Sequence, residues 1–446
     1  MKSTIAIIGG GISGLAAAMH LQHAQPEIRT IVLEANATIG GVLRTDRLDG
    51  FLVENAADSF LTTPASAVEL CRQVGLEEDL IPTNPTFRRT FVVGRGKLLP
   101  IPNGFAVMAP TQIFPFMTSK ILSLSGKLRA GCELFVPKNA SDQDESVESF
   151  VCRRFGRELF ERLVQPLIGS IYAADTSQLS IRATLPRFTD MEHAHRSLLA
   201  AMFKSAKQPG DKQSAGARYG QFASLQSGIG SLINAIEQQL PAGVVRKQSP
   251  VQRLTQLEDA RWRLLIDGES PGSLDVDGVI LAVPAYQAAE LLKPIEAEAA
   301  NELQQVTYSS TAVVTLGYQR SQIAHPLNGF GFVVPLVEDR CILSCSFSSV
   351  KFPNRAHDDQ VLLRVFVGGE CQRGFLDLSR DEIAELAIRE LGSLLKIDGQ
   401  PTLQHVVFHR RSTPQYNVGH LARAARIRQR LESFPSLTLA CNGMGG

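Results

Sequence analysis

Three glycines near the N-terminus are spaced for one kind of chemistry. In "TIAIIGGGISGLAAAMHLQ" they stand at Gly9, Gly11 and Gly14, as Gly-x-Gly-x-x-Gly. The first permits a tight turn, the second lets the backbone approach a pyrophosphate, and the third lets a helix pack closely on a strand. An acid closes the next apolar run, "RTIVLEA": Glu34, 20 residues beyond Gly14. A carboxylate there accepts hydrogen bonds from ribose hydroxyls and repels a 2′-phosphate. Gly9, Gly10, Gly11, Ile12, Ser13 and Gly14, with Glu34 and Ala35, are therefore the predicted dinucleotide cradle. A second glycine pair, Gly40-Gly41, precedes Val42 and Arg44, and Arg44 supplies positive charge for phosphates.

These residues need a strand, a turn and a helix to hold them. Residues 5–8 read as a buried strand and 15–21 as a helix rich in small residues. Further on, "PASAVELCRQVGL" is helical, and "RRTFVVGRGKLLPIP" is a β pair turning at Gly94-Arg95-Gly96. "SDQDESVESFVCRRFGRELFERLVQPLIGSIYAAD" starts with an acidic cap and carries apolar residues at helical spacing: Val147, Phe150, Val151, Phe155, Leu159 and Leu163. Residues 204–219 form a polar linker, expected to be disordered or cleaved. "GIGSLINAIEQQLP" is a helix, "SPVQRLTQLEDARWRLLID" a hairpin, and "DGVILAVPAYQAAELL" a strand and helix returning to the nucleotide domain. Residues 303–370 are β-rich, and a helix follows at 380–395.

The order predicts an α/β and α+β chain. Its Rossmann-like nucleotide domain of the glutathione-reductase type is discontinuous (1–85, 220–285 and 405–446). A sheet domain for substrate (86–93, 203–219 and 286–404) and a helical, membrane-associating domain (94–202) are inserted.

Composition narrows the function. The 446 residues are 44% hydrophobic and 20% charged, with net charge +1, which gives no sign of a nucleic-acid partner. Seven cysteines, without a CxxC pair or a zinc-type spacing, read as reduced thiols. The N-terminus carries no signal peptide. The uncharged stretch 98–119 contains Pro100, Pro102, Pro110 and Pro115, which exclude one spanning helix but leave a greasy surface segment.

"EANATIGGVLRTDRLDGFLVENAADSF" resembles the extended FAD pattern of the flavin amine oxidase superfamily. "ESVESFVCRRFGRELFERLVQPLIGSIYAADTSQLSIRATLP", "FASLQSGIGSLINAI", "LAVPAYQAAELL", "FGFVVP" and "TPQYNVGH" resemble blocks of its oxygen-dependent protoporphyrinogen/coproporphyrinogen oxidase family along the whole length. The resemblance implies a cytoplasmic FAD enzyme, monomer or homodimer, with peripheral contact to the inner face of the cell membrane. Its substrate is a tetrapyrrole, oxidised in three two-electron hydride transfers, with O2 as acceptor and H2O2 as product. Ferrochelatase or another haem-pathway enzyme is the partner it suggests. The resemblance assigns no catalytic side chain and no metal; the chemistry is flavin-centred.

Residue by residue, Arg89 matches the family arginine that pairs with a propionate, and Leu167, Ser170, Phe330 and Val333 match positions flanking the macrocycle. Ala56, Ala57, Asp58 and Ser59 match the turn beside the isoalloxazine, Val251 the adenine contact, and Asn442 a position near the flavin. Glu54 stays open between a buried acceptor of amides and an exposed acid. The chain departs from the family's glycines at Ala56-Ala57, Ala174 and Cys441. Coproporphyrinogen and protoporphyrinogen both remain open, as do an amine or polyene oxidase and a non-catalytic binding protein on the same fold. The family continues past "LTLACNGMGG" into a last helix against the flavin, so the sequence is expected to be part of a longer chain.

Overall fold

The computed structural model describes residues 3–139, 141, 143–205 and 221–445. The linker expected at 204–219 lies, beyond its first residues, outside them.

The opening unit forms as the glycine spacing requires. Strand β1 (Thr4–Ile8) runs into helix α1 (Ile12–Ala24), and the chain returns through strand β2 (Arg29–Leu33). Both strands are apolar on both faces, as strands of a covered parallel sheet must be. Five parallel strands build that sheet, in the order Val245–Arg246, β2, β1, Gly278–Leu281, Leu437–Leu439. The strand and helix predicted in "DGVILAVPAYQAAELL" thus return beside β1, as Gly278–Leu281 and Ala285–Leu292.

The second large element is a seven-stranded sheet. Its order is Leu403–Pro414, Tyr308–Gln319, Gln360–Gly368, Ser344–Phe347, Gly331–Val333, Phe91–Gly94, Lys97–Pro100. The predicted turn is found: Arg95 and Gly96 have φ of 53° and 70°, which suits a tight hairpin. The sheet crosses the boundaries expected at 94 and 405, since Lys97–Pro100 and Leu403–Pro414 belong to it. Helix Arg380–Leu395 packs into its core through Ile383, Ala384, Ala387 and Leu391. That helix carries a complete capping box between Ser379 and Glu382.

The expected helical spacing and hairpin are both found, with additions. The helical spacing from Val147 to Tyr172 covers more than one helix. It breaks at Gly156, where φ is 94°, and continues through a π turn at Phe160–Val164 into helix Gln165–Tyr172. Its cap is not acidic: Ser146 accepts from the amide of Ser149 at 3.1 Å. The predicted hairpin at 251–266 gains a third strand, Gly272–Val276, whose polar run hid it. Among the described residues no helix is long and apolar enough to cross a membrane.

Candidate functional site

The glycine turn is shaped by close contacts on three sides and by open space on the fourth. Gly9 has φ of 108°, and a Cβ there would lie 2.5 Å from the carbonyl oxygen of Ala282. A Cβ on Gly14 would lie 2.0 Å from the oxygen of Gly9, so only glycine lets α1 sit this close to the turn. Gly10 is bounded by Glu34, 3.0 Å away. At Gly11 a Cβ would meet nothing within 4 Å. Steric need inside the chain explains three of these glycines; at Gly11 the chain leaves open space.

The residues around that space form a cleft of about 500 Å³ lined by Gly9, Gly11, Glu34, Ala35, Gly41 and Val251, among others. Glu34 is buried, and its carboxylate accepts from the amide of Gly10 (2.7 Å), the amide of Asn36 (2.8 Å) and the Asn36 side chain (2.6 Å). A carboxylate has about four acceptor positions, so capacity remains for a ribose hydroxyl. The pair Gly40-Gly41 docks on the turn, with the amide of Gly40 donating to Gly10 at 2.8 Å. The first amides of α1, at Ile12, Ser13 and Gly14, sit at a helix N-terminus with no acid in its first turn, suited to an anion.

Arg44 and Val42 are not among the residues lining the cleft: Arg44 pairs with Asp46 at 2.8 Å and its side chain is exposed, as is Val42. Glu54, left open by the sequence, is buried. It accepts from the Ile229 amide (2.9 Å) and the Thr45 hydroxyl (2.7 Å), and burial raises its pKa.

The turn at Ala56–Ser59 is held from behind by charges the motifs gave no hint of. Arg364 donates to the carbonyl of Ala56 and lies 3.4 Å from the Asp58 carboxylate. Lys351 donates to Asp58 at 2.9 Å and to Ser59 at 3.0 Å. Burial alone would raise the Asp58 pKa; Lys351 and Arg364 outweigh it and hold the carboxyl well below its ordinary range. Asn55 adds contacts from its side chain to His405 (2.9 Å) and from its carbonyl to His409 (2.8 Å). Ala57 is left exposed at the tip. Asn442 is clamped too, accepting from the Tyr308 hydroxyl (3.0 Å) and, through its carbonyl, from Tyr416 (2.8 Å). An arginine inside the apolar strand "VLLRVFVGG" was the one available signal for Arg364, because a buried charge in such a run needs a partner.

The expected substrate wall is partly assembled. Val333 is buried in the helical core, and Leu167 packs against that same core. Ser170 donates to the Leu167 carbonyl at 3.2 Å on helix Gln165–Tyr172. Phe330 is buried, and its amide donates to the carbonyl of Arg89 at 2.8 Å. Arg89 itself is exposed and lines a separate cleft of about 530 Å³ with Leu99, Ile101 and Lys120.

Comparison with known proteins decides the family. The profile of the flavin containing amine oxidoreductases matches residues 12–444. The chain belongs to that family. It is a flavin-dependent oxidoreductase, and the glycine turn with Glu34 fits the dinucleotide form of the cofactor, FAD. Coproporphyrinogen III oxidase of Bacillus subtilis (strain 168) is 34% identical over 436 residues, 97% of this chain and 91% of that protein. Protoporphyrinogen oxidase of Homo sapiens is 31% identical over 464 residues, 99% of this chain and 94% of that protein. Among solved structures, a protein of Exiguobacterium sp. 255-15, provisionally assigned as a protoporphyrinogen oxidase, superposes with a TM-score of 0.87 at 30% identity. That match covers 100% of this chain and 95% of the other. Cyclohexylamine oxidase from Brevibacterium oxydans IH-35A shares the fold alone, with a TM-score of 0.69 at 18% identity, over 100% of this chain and 94% of that one.

Proposed function

We propose that the chain oxidises a porphyrinogen to the porphyrin, with coproporphyrinogen III the favoured substrate. The observation that carries this is near-full-length similarity to coproporphyrinogen III oxidase, at 34% identity over 97% of the chain. The Arg89 cleft, with two cations and no acid in its lining, supports a substrate rich in carboxylates. Six hydrogens leave the macrocycle in three two-electron steps, and three dioxygen molecules become hydrogen peroxide. FAD, when bound, supplies the two-electron acceptor for each step.

The chain's own residues bind and exclude. With FAD bound, Glu34 would hold the ribose, the Gly9–Gly14 turn would receive the pyrophosphate, and Val251 would border the adenine. Arg364 and Lys351 fix the Ala56–Ser59 turn, and Tyr308 and Tyr416 fix Asn442; both would lie near the isoalloxazine. Leu167, Ser170, Phe330 and Val333 wall the macrocycle, and Arg89 pairs with a propionate. No side chain need act as acid or base, since pyrrole N–H tautomerism moves protons through solvent.

In this reading the chain has three parts, with the boundaries expected at 94 and 405 moved so that Lys97–Pro100 and Leu403–Pro414 join the substrate sheet, and the nucleotide part carries FAD. The helical part carries a surface for the membrane: Ile113, Phe114, Leu124, Leu128 and Phe135 are 60–78% exposed. Incubation with each porphyrinogen in air, followed by porphyrin fluorescence, tests the proposal. Growth with coproporphyrinogen III faster than with protoporphyrinogen IX supports it. A flavin-loaded protein that oxidises neither overturns it.

A further inference from the structure

Between Asp79 and Glu133 the sequence holds no acid, and every one of its seven charged side chains is lysine or arginine. That imbalance is local, because the whole chain has net charge +1. The stretch folds into the hairpin Phe91–Gly94 and Lys97–Pro100, then a turn-rich segment ending in helix Ile113–Thr118. Between them lies the cleft of about 530 Å³. Its walls are mostly apolar (Leu99, Pro100, Ile101, Pro102, Pro115) with Asn103, Thr118 and Ser119 as neutral polar groups, and Arg89 and Lys120 are its cations.

Two of the other five cations of the stretch are occupied. Lys127 donates to the Met117 carbonyl at 2.8 Å, and Arg129 to the Arg154 carbonyl at 3.1 Å. The side chains of Arg89 and Lys120 make no hydrogen bond or ion pair among the described residues. Two like charges on one apolar cleft repel each other unless an anion sits between them. The volume falls within the range of about 300–1,000 Å³ that small-molecule sites occupy.

Resting on the porphyrinogen reading above, we propose that Lys120 is a second substrate anchor, binding a different carboxylate from the one that Arg89 holds. A porphyrinogen carries its carboxylates on separate pyrroles. One anchor leaves the ring free to turn about that contact; a second adds ground-state binding and limits that turning. Arg89 offers a planar fork and Lys120 a compact point charge on a long stem, so the second contact tolerates the ring's pucker.

The test uses the FAD-loaded enzyme with coproporphyrinogen III. Lys120→Ala should raise KM about tenfold and leave kcat within about twofold, as loss of ground-state binding does. Lys120→Arg should restore most of the affinity. Arg89→Ala and Lys120→Ala should multiply in the double variant, because separate carboxylates give independent contacts. An unchanged KM in Lys120→Ala, or a double variant no worse than Arg89→Ala alone, overturns the proposal. So does an effect of Lys120→Ala confined to sedimentation with phosphatidylglycerol vesicles, which would assign the lysine to a lipid surface. A parent enzyme that oxidises no porphyrinogen contradicts the functional reading instead. Quenching of coproporphyrin III fluorescence on binding then measures the Lys120 contribution without turnover, and equal affinity in parent and Lys120→Ala overturns it.

Discussion

A methyl group added at Gly11 meets nothing within 4 Å, whereas at Gly14 it lies 2.0 Å from the carbonyl of Gly9. The two substitutions should therefore fail differently. Gly11→Ala keeps its thermal midpoint without cofactor, since its φ of −72° is open to alanine, but loses FAD affinity about tenfold or more. Gly14→Ala strains the strand–helix contact and costs about 2 kcal/mol of stability even without FAD. Calorimetry with and without FAD separates them; equal behaviour would remove Gly11 from the pyrophosphate site. If Arg89 pairs with a propionate as proposed, Arg89→Ala should raise KM more than it lowers kcat, because that contact is made to the substrate's edge rather than its reacting carbon. An unchanged KM would take it out of the site.

Separate elements meet at the Ala56–Ser59 turn through side chains far apart in sequence. Lys351 reaches Asp58 across 293 positions and Arg364 reaches Ala56 across 308. No local motif encodes such a contact, which explains why the glycine turn and Glu34 were legible in the sequence and this network was not. The same holds for Gly156: the helical period continues across it, but its φ of 94° breaks the run, and a one-dimensional pattern carries no dihedral. Arg364 is nearly inaccessible, so Arg364→Met strands Asp58 with Lys351 as its remaining cation. The expected cost is about 3 kcal/mol in denaturant unfolding, with a blue or red shift of the bound flavin spectrum as the Ala56 turn moves. A variant with native stability and an unaltered spectrum would show that the network supports nothing at the cofactor.

At the scale of the whole molecule, acid sensitivity follows from buried histidines. His420 is 1% exposed, and both its ring nitrogens lack partners among the described residues. Burial, then Arg423 and Arg428, push its pKa down to about 4. The unfolded imidazole titrates near its ordinary value of about 6.5, so as pH falls the unfolded chain takes the proton first. Stability is complete above about 6.5 and is lost progressively down to about 4, by at most about 3 kcal/mol. Burial lowers His405 and His409 as well, with the same sign. Asp58 acts only in stronger acid, because its depressed pKa keeps it ionised throughout that window. His420→Phe should flatten the dependence of the thermal midpoint on pH between about 6.5 and 4; an unchanged slope would place the sensitivity elsewhere.

The glycine turn, the strands beside it and the β-rich run at 303–370 were readable from their patterns, whereas Leu403–Pro414, expected mostly in the nucleotide domain, joins the seven-stranded sheet. The chemistry they serve is tested most directly by mixing FAD-loaded protein with coproporphyrinogen III without oxygen. The account predicts that the yellow flavin band bleaches as a tetrapyrrole oxidation product forms, and that admitting air restores the band with hydrogen peroxide and a full porphyrin Soret band. A flavin band that stays unchanged in the presence of excess substrate would contradict it.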